Sequence, residues 1–285
     1  MQARTTTILT LALCATIGCA AQAAETGDRV VLSPRDELYQ PYLADPHRAS
    51  FELLGKSVGD VDIPETGDTR YGLRLGGRFG ITRHESRVHP GRAWQVSTEI
   101  GFVGEFDLDN AYDNVGWDGI YGIIFTSTLG PDMRVKLGTM HRSSHVGDEY
   151  IERTGRQRIN YTRQEIQTGL SWDVTRVWRT YGEIGYAYDM GNEILMERWR
   201  AQAGLEYQPP RSWWDGQLGW YAALDVSAME ERDWRADATL RGGFLFDADG
   251  RRWSLSLMHY RGRPTIGEFF QHTETYTGVA LRLEL

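Results

Sequence analysis

Apolar and polar side chains alternate with a period of two along most of the chain, in segments of roughly ten residues. In one such segment Tyr71, Leu73 and Leu75 share a face, while Arg70 and Arg74 share the opposite face. A helix would repeat its apolar residues every three or four positions instead. The alternation therefore predicts an all-β chain, with about twelve strands between residue 50 and the C-terminus.

A soluble β-sandwich would also alternate, so the placement of the aromatic side chains decides between the two architectures. Several apolar faces begin or end in an aromatic residue, as at Trp94, Trp199 and Tyr207. Aromatic rings at strand ends are typical of membrane interfaces, whereas a sandwich places them in mid-strand. Segments of about ten residues also suit tilted membrane strands. We expect a closed antiparallel transmembrane β-barrel over residues 49–285, because closure leaves no unpaired edge in lipid.

The N-terminus predicts export. Arg4 precedes an apolar stretch over residues 7–17, and Ala21-Gln22-Ala23 matches an A-x-A cleavage site, so residues 1–23 are expected to be a signal peptide. Lipoprotein processing at Cys19 is the weaker alternative. Cleavage after residue 23 would remove Cys14 and Cys19, which are the only cysteines. The mature chain would then have no disulfide and no thiolate metal site, and we expect it in the cell outer membrane.

Residues 24–48 contain three prolines, Pro34, Pro41 and Pro46, and are predicted to form an irregular periplasmic arm, with a plug as the alternative. If the arm is periplasmic, the short turns at 130–132, 173–175 and 247–250 are periplasmic as well. The longer polar links at 55–68, 107–117, 144–161 and 262–273 are then external, as expected of such barrels. An even strand count returns the C-terminus to the periplasm, where the barrel-assembly machinery would bind it.

The predicted inner faces carry charges of both signs. They are Arg70, Arg74, Arg78, Arg134, Lys136, Arg198, Arg200, Arg235, Arg241 and Arg252 against Glu99, Glu105, Glu165, Glu183, Glu206, Asp225 and Asp237. Interleaved charges can bridge the interior of a twelve-strand barrel, whereas a selective pore favours a ring of one sign. We therefore expect a largely occluded lumen and a structural or interaction role. A narrow channel is an alternative, and the net charge of -8 argues against nucleic-acid binding.

A second alternative function is suggested by His141 and Ser143. The apolar face of their predicted strand continues by parity to both residues, which places them together on the lipid-facing wall near the outer leaflet. A histidine beside a serine is the minimum needed for base-activated attack on an ester. Asn160, which opens the next predicted strand, is the candidate for orienting the imidazole.

The same segment also allows a structural interpretation. In that case His141 lies in the interfacial zone and Ser143 caps a turn, and both lack a catalytic role. The acidic Asp148 and Glu149 would then pair with basic residues of the loop at positions 153, 156 and 158.

An acidic stretch offers oxygen ligands for Ca²⁺. Its candidate ligands are Asp107, Asp109 and Asp113, followed by Asp118. The stretch lacks the EF-hand order, so the alternative is an acidic external loop without metal. No Gly-rich phosphate loop and no H-E-x-x-H motif is present, and no other cofactor is expected.

The chain resembles the Gram-negative family called domain of unknown function 1207. The resemblance rests on the following stretches: Leu43-Ala44-Asp45-Pro46, Glu105-Phe106-Asp107-Leu108-Asp109, Ser143-Ser144-His145-Val146-Gly147-Asp148-Glu149, Arg158-Ile159-Asn160-Tyr161 and Ala203-Gly204-Leu205-Glu206-Tyr207. It covers nearly the whole mature chain and implies an outer-membrane barrel, without an activity.

The His141-x-Ser143 pair and the strand number also resemble the outer-membrane phospholipase A family and, more distantly, the lipid A deacylases. Those enzymes carry an H-x-S motif on the outer wall of a barrel. The resemblance implies an esterase that acts on outer-membrane lipids, which would be its partners, and it leaves the oligomeric state open.

Overall fold

The computed structural model describes residues 28–61, 63–248 and 251–284. The predicted signal peptide, residues 1–23, and residues 249–250 of one predicted turn lie outside the described residues. A short strand, β1 (Arg29–Leu32), precedes twelve long ones. These are β2 (Phe51–Val61), β3 (Thr69–Glu85), β4 (Ala93–Asp107), β5 (Asp113–Thr128), β6 (Met133–Val146), β7 (Thr162–Asp173), β8 (Trp178–Met190), β9 (Trp199–Tyr207), β10 (Leu218–Met229), β11 (Ala236–Ala248), β12 (Arg251–Gly262) and β13 (Glu274–Glu284).

The twelve long strands form one closed antiparallel barrel. Each strand pairs with its neighbour in the sequence, and β13 pairs with β2 to close the ring, with Leu281 opposite Leu53. Closure satisfies the backbone groups that an open sheet would leave unpaired at its edges. The predicted fold class, a closed antiparallel barrel of about twelve strands, is confirmed.

The barrel carries its apolar side chains outside and its charges inside. Leu75 and Ile100 on the outer face are 48% and 53% exposed, whereas Arg70 and Arg74 on the inner face are 0% and 3% exposed. A water-soluble barrel would show the opposite arrangement, because its apolar side chains would fill the centre. The period-two alternation therefore separates outward apolar side chains from inward charged ones, as the sequence predicted.

The two ends of the barrel differ in their connections. At the end where residues 28–50 enter, called here the arm end, hairpin connections run over 86–92, 129–132, 174–177 and 208–217. The opposite end, called the loop end, carries a short helix, α1 (Asp148–Thr154), and 3₁₀ turns at Glu230–Arg232 and Gly267–Phe269. No helix among the described residues is long and apolar enough to span a membrane.

Several predicted loop-end links are shorter than expected, because the strands continue into them. Strand β2 runs on to Val61, and β5 begins at Asp113. Strand β6 reaches Val146, which is paired with Gly116 of β5. Backbone pairing therefore extends through polar and glycine-rich residues in which side-chain alternation is weak.

Residues 24–48 were predicted to be irregular, but β1 forms within this segment and pairs with Thr82–Glu85 at the end of β3. After β1 the chain turns into the barrel beside Gly80. A Cβ atom at Gly80 would lie 2.5 Å from Pro34 Cγ, so only glycine allows this approach. Residues 36–50, called here the lumen segment, then lie inside the barrel, where Tyr39 and Ala44 are fully buried.

Candidate functional site

The backbone of the lumen segment is bound by cationic side chains of the barrel wall. Between residues 39 and 47, four carbonyl groups accept hydrogen bonds from guanidinium groups on four different strands. The pairs are Arg78 Nη1 with Tyr39 O (3.1 Å), Arg179 Nη2 with Pro41 O (3.1 Å), Arg282 Nη1 with Leu43 O (3.0 Å) and Arg142 Nη2 with His47 O (2.7 Å). These donors project from β3, β8, β13 and β6, so the segment is held from several sides of the lumen.

Side chains of the lumen segment add aromatic contacts. Tyr42 stacks on Tyr181 with ring centroids 3.6 Å apart, and its hydroxyl donates to Glu183 Oε2 at 2.9 Å. The Tyr39 and Tyr42 hydroxyls are 2.8 Å apart, and burial raises the pKa of Tyr39 to about 12. Both groups therefore stay neutral and able to donate at physiological pH.

The loop end is closed by residues 263–272, called here the inward loop. Its Glu268 and Phe269 are fully buried. Glu268 accepts hydrogen bonds from the backbone N–H groups of Ile159 (2.8 Å) and Tyr161 (3.1 Å), and its own N–H donates to Ser144 Oγ at 2.8 Å. The carboxylate, with its two backbone donors, fixes the inward loop to the link before β7, and the Ser144 contact fixes it to β6.

Between the lumen segment and the inward loop lies a cavity of about 110 Å³. His47 and Ala49 line it from the lumen segment, and Arg263 lines it from the inward loop. Arg142 and Glu165 are among the wall residues around it. This cavity separates the two segments that fill the barrel.

The remaining interior contains buried ion pairs, as the mixed charges predicted. At the seam where β2, β3, β4 and β13 meet, Lys56 lies 2.8 Å from Glu105 and 3.2 Å from Glu274. Arg70 binds the same two carboxylates at 2.9 and 3.3 Å. Two cations and two anions therefore neutralise one another in a site with almost no exposure. Of the predicted lumen charges, Arg235 and Arg252 lie exposed near strand ends.

On the outer wall, His141 and Ser143 both point away from the lumen, on the face of β6 that carries Leu137. The His141 ring stacks on Tyr121 with centroids 4.4 Å apart. Directly across from His141 on β7 lies Gln164. The two candidate residues are thus neighbours on one surface, but among the described residues no hydrogen bond joins the His141 ring to Ser143 Oγ, and His141 Nδ1 is buried without a partner.

The structure does not bring Asn160 to His141. Strand β7 begins at Thr162, and Asn160 lies in the preceding link with a positive φ of 61°. It is four residues before Gln164, which corresponds to about 13 Å along an extended chain. Gln164 holds the position that had been assigned to Asn160, and its Nε2 donates to Asp189 Oδ2 at 2.6 Å. The pairing register between β6 and β7 would have identified Gln164, but side-chain parity alone does not fix that register.

The proposed calcium ligands have other roles. Asp107 Oδ2 accepts from Gly67 N–H at 2.8 Å, Asp109 Oδ2 accepts from Thr69 N–H at 2.8 Å, and Asp113 binds Arg153 Nε at 2.9 Å. Asp107 and Asp109 therefore connect the β4–β5 link to the β2–β3 link, and Asp113 connects β5 to α1. Among the described residues, no group of three His, Cys, Asp or Glu side chains is arranged to hold a metal ion.

The expected pairs of Asp148 and Glu149 with basic residues of the same loop do not form. Arg153 binds Asp113 instead, and Arg158 bonds to the His145 ring. Both acidic residues lie exposed in the first turn of α1, where the helix dipole favours negative charge.

A closed antiparallel wall with an apolar outside and buried ion pairs inside defines an outer-membrane β-barrel fold. Solved structures share it. Outer membrane phospholipase A from Escherichia coli is similar with a TM-score of 0.59 and 11% identity, covering 87% of this chain and 94% of that one. The Salmonella typhi outer membrane phospholipase, solved as a dimer with bound calcium, gives the same values.

An active-site mutant of the Escherichia coli enzyme, with alanine in place of asparagine, matches with a TM-score of 0.58 and 12% identity, covering 87% of this chain and 94% of that one. At these identities the likeness is one of fold. The chain belongs to the family described as protein of unknown function DUF1207, whose model matches residues 12–284. The family predicted from the quoted sequence stretches is therefore confirmed. No curated protein is significantly similar in sequence.

Proposed function

We propose that this chain is a sealed outer-membrane barrel that acts through its surface, in a structural or interaction role, and not as a diffusion pore. The observation that carries the proposal is the lumen segment, which is bound from four strands and faces the inward loop across the cavity. Ions crossing the barrel would have to displace both segments. The buried ion pairs that fill the rest of the interior would also have to separate, which is costly.

Planar-bilayer recording tests this proposal. We expect the purified wild-type protein to give no stepwise conductance. A variant lacking residues 34–48 and with residues 264–271 replaced by a short glycine linker should conduct, because both obstructing segments are gone. Stepwise conductance of the wild type, with an ion preference that changes on Arg74→Gln or Glu99→Gln, would instead support a narrow channel.

We further propose the orientation and processing of the chain. The arm end faces the periplasm, residues 1–23 are removed during export, and residues 24–48 enter the barrel from the periplasmic side before the membrane domain at 49–285. The wider loop-end connections, with α1 and the inward loop, support an external position. A protease added to intact cells should cleave a tag inserted after Gly155 and spare a tag inserted after Gly130.

A second candidate function is an outer-leaflet acyl-ester hydrolase. It is supported by one observation, the shared outward face of His141 and Ser143 opposite Gln164. In this mechanism His141 takes the proton of Ser143 Oγ as the oxygen attacks the ester carbonyl, and returns it to the departing alcohol. Water then cleaves the acyl-serine and releases the fatty acid. Gln164 would position the imidazole, once its side chain turns from Asp189.

The hydrolase is tested by fatty-acid release from phospholipid in mixed detergent micelles, with calcium and with a chelator, since the Salmonella typhi structure holds calcium. We expect Ser143→Ala and His141→Ala to lower the rate by at least about 100-fold. Thr139→Ala, on the same face of β6, is the matched control and should keep the wild-type rate. No release by the wild type, or equal release by both variants, would remove this candidate.

A further inference from the structure

The cavity between the lumen segment and the inward loop contains polar groups that no described residue satisfies. His47 is 9% exposed, and neither its Nδ1 nor its Nε2 has a hydrogen-bond partner among the described residues. Arg263 is 5% exposed, and its Nη1 likewise has none. Both residues line the cavity. Buried donors without partners are rare, so their convergence on one cavity points to a ligand.

The charge around His47 determines which ligand fits. The charged groups that act on it most strongly are four guanidinium groups, with Arg263 first and Arg142 second. Burial, and then these cations, hold the pKa of His47 well below 6.5, so the ring is neutral and has one N–H to donate.

The positive charge of Arg263 is only partly balanced. Its Nε lies 3.4 Å from Asp237, but Asp237 is shared with Arg232 at 3.7 Å and also accepts the backbone N–H of Arg263 at 2.9 Å. Arg142 is paired with Asp118, whose oxygens also accept from Gly267 N–H. Both carboxylates are therefore shared with other donors. In the part of the chain that the structure describes, seven cationic side chains and four carboxylates line the cavity, so its wall is electropositive.

We propose that this cavity binds a small oxyanion of the phosphate or sulfate class, with Arg263 Nη1 and the His47 N–H as its two principal donors. A volume of about 110 Å³ has room for several water-sized groups. Sulfate supplies acceptors only and hydrogen phosphate mainly acceptors, which matches the Arg263 and His47 donors; the second His47 nitrogen can accept from a phosphate O–H. The wall separates the cavity from the hydrocarbon, which favours a free ion over a lipid headgroup. The site would hold the lumen segment against the inward loop.

Equilibrium dialysis of the full-length protein in detergent, with radiolabelled inorganic phosphate, tests the proposal. A parallel sample is refolded from urea with phosphate present, so that slow entry into a closed lumen cannot hide binding. We expect one phosphate per chain, displaced by sulfate and not by chloride. Displacement by glycerol 3-phosphate at lower concentration than by inorganic phosphate would identify a lipid headgroup as the source.

Two variants separate this site from nonspecific binding. Arg263→Gln and His47→Leu should each weaken phosphate binding at least tenfold, because each removes one of the two donors. Arg211→Gln, which removes an arginine at the arm end far from the cavity, should bind as the wild type does. His47→Leu fills similar space and keeps the test valid if Arg263→Gln fails to fold. Absence of bound phosphate in both wild-type samples, or unchanged binding in both cavity variants, would overturn the proposal.

Discussion

Replacing Glu52 by glutamine should be among the most damaging single changes to the barrel. Glu52 is 3% exposed and faces three guanidinium groups. Its Oε2 lies 2.7 Å from Arg241 Nη2 and 2.7 Å from Arg282 Nε, and its Oε1 binds Arg74 Nη1. The four residues belong to β2, β3, β11 and β13, and Arg282 also binds the lumen segment. Glu52 therefore joins the closing seam of the barrel to the segment that fills it.

The size of the expected loss in the free energy of unfolding follows from leaving buried cations without this carboxylate. A charge-assisted hydrogen bond contributes about 1.5–3 kcal/mol, and Glu52 accepts from three donors. The three contributions overlap because one carboxylate serves all of them. Breaking a buried ion pair from one side typically costs about 3–5 kcal/mol. We therefore expect Glu52→Gln to lower the free energy of unfolding by that amount.

Urea unfolding of the protein in phospholipid vesicles, followed by tryptophan fluorescence, measures this free energy. Glu149→Gln makes the same chemical change at an exposed residue and should stay within about 0.5 kcal/mol of the wild type. Adding Arg74→Gln to Glu52→Gln should recover part of the loss, because one uncompensated charge is removed. A Glu52→Gln variant within about 1 kcal/mol of the wild type, or a double variant no more stable than Glu52→Gln alone, would refute the reasoning.

Two further predictions concern the lumen segment and the loop end. Burial raises the pKa of the Glu37 carboxyl above its usual 4.5, so the folded state binds this proton more tightly than the unfolded state. Its contribution to stability is complete below pH 4.5 and is lost as the pH rises through the raised pKa. The urea midpoint of the wild type should therefore fall over this pH range, and that of Glu37→Gln should not. Parallel plots of urea midpoint against pH for the two proteins would contradict the prediction. A Cβ at Gly147 would lie 1.7 Å from Asn114 O, so Gly147→Ala should cost about 1–3 kcal/mol in urea unfolding. Gly182→Ala, where nothing lies within 4 Å, is its control and should unfold as the wild type does.

The sequence predicted the barrel wall well because lipid imposes a strict rule on every spanning residue. Outside the wall there is hydrocarbon and inside there are counter-charges, so the identity of each residue reports its direction. The inward Arg70 and Glu105 and the outward Leu75 and Ile100 follow from parity alone. This rule also placed His141 and Ser143 on the same outward face.

The sequence was less informative wherever the chain leaves the wall. The route of residues 36–50 through the lumen depends on contacts with strands far away in the sequence, such as Tyr42 with Glu183. Parity also leaves the register between neighbouring strands open, and a shift of four residues separates Asn160 from Gln164. The burial of Glu268 could not be predicted, because a carboxylate in a polar link normally remains in water.

The filled lumen also restricts where this barrel can act. An interior that held itself together with ion pairs alone would need only wall residues such as Lys56 and Glu274. This chain also has a lumen segment and an inward loop. Their backbone carbonyl groups accept hydrogen bonds from guanidinium groups that wall carboxylates would otherwise neutralise. These contacts brace the wall from inside, and a braced wall is expected to hold the side chains on its outer surface in a fixed arrangement. The outward His141 and Ser143 lie on β6, whose inner face binds the lumen segment through Arg142 and the inward loop through Ser144. Any activity at the outer wall should therefore depend on the integrity of the filled lumen.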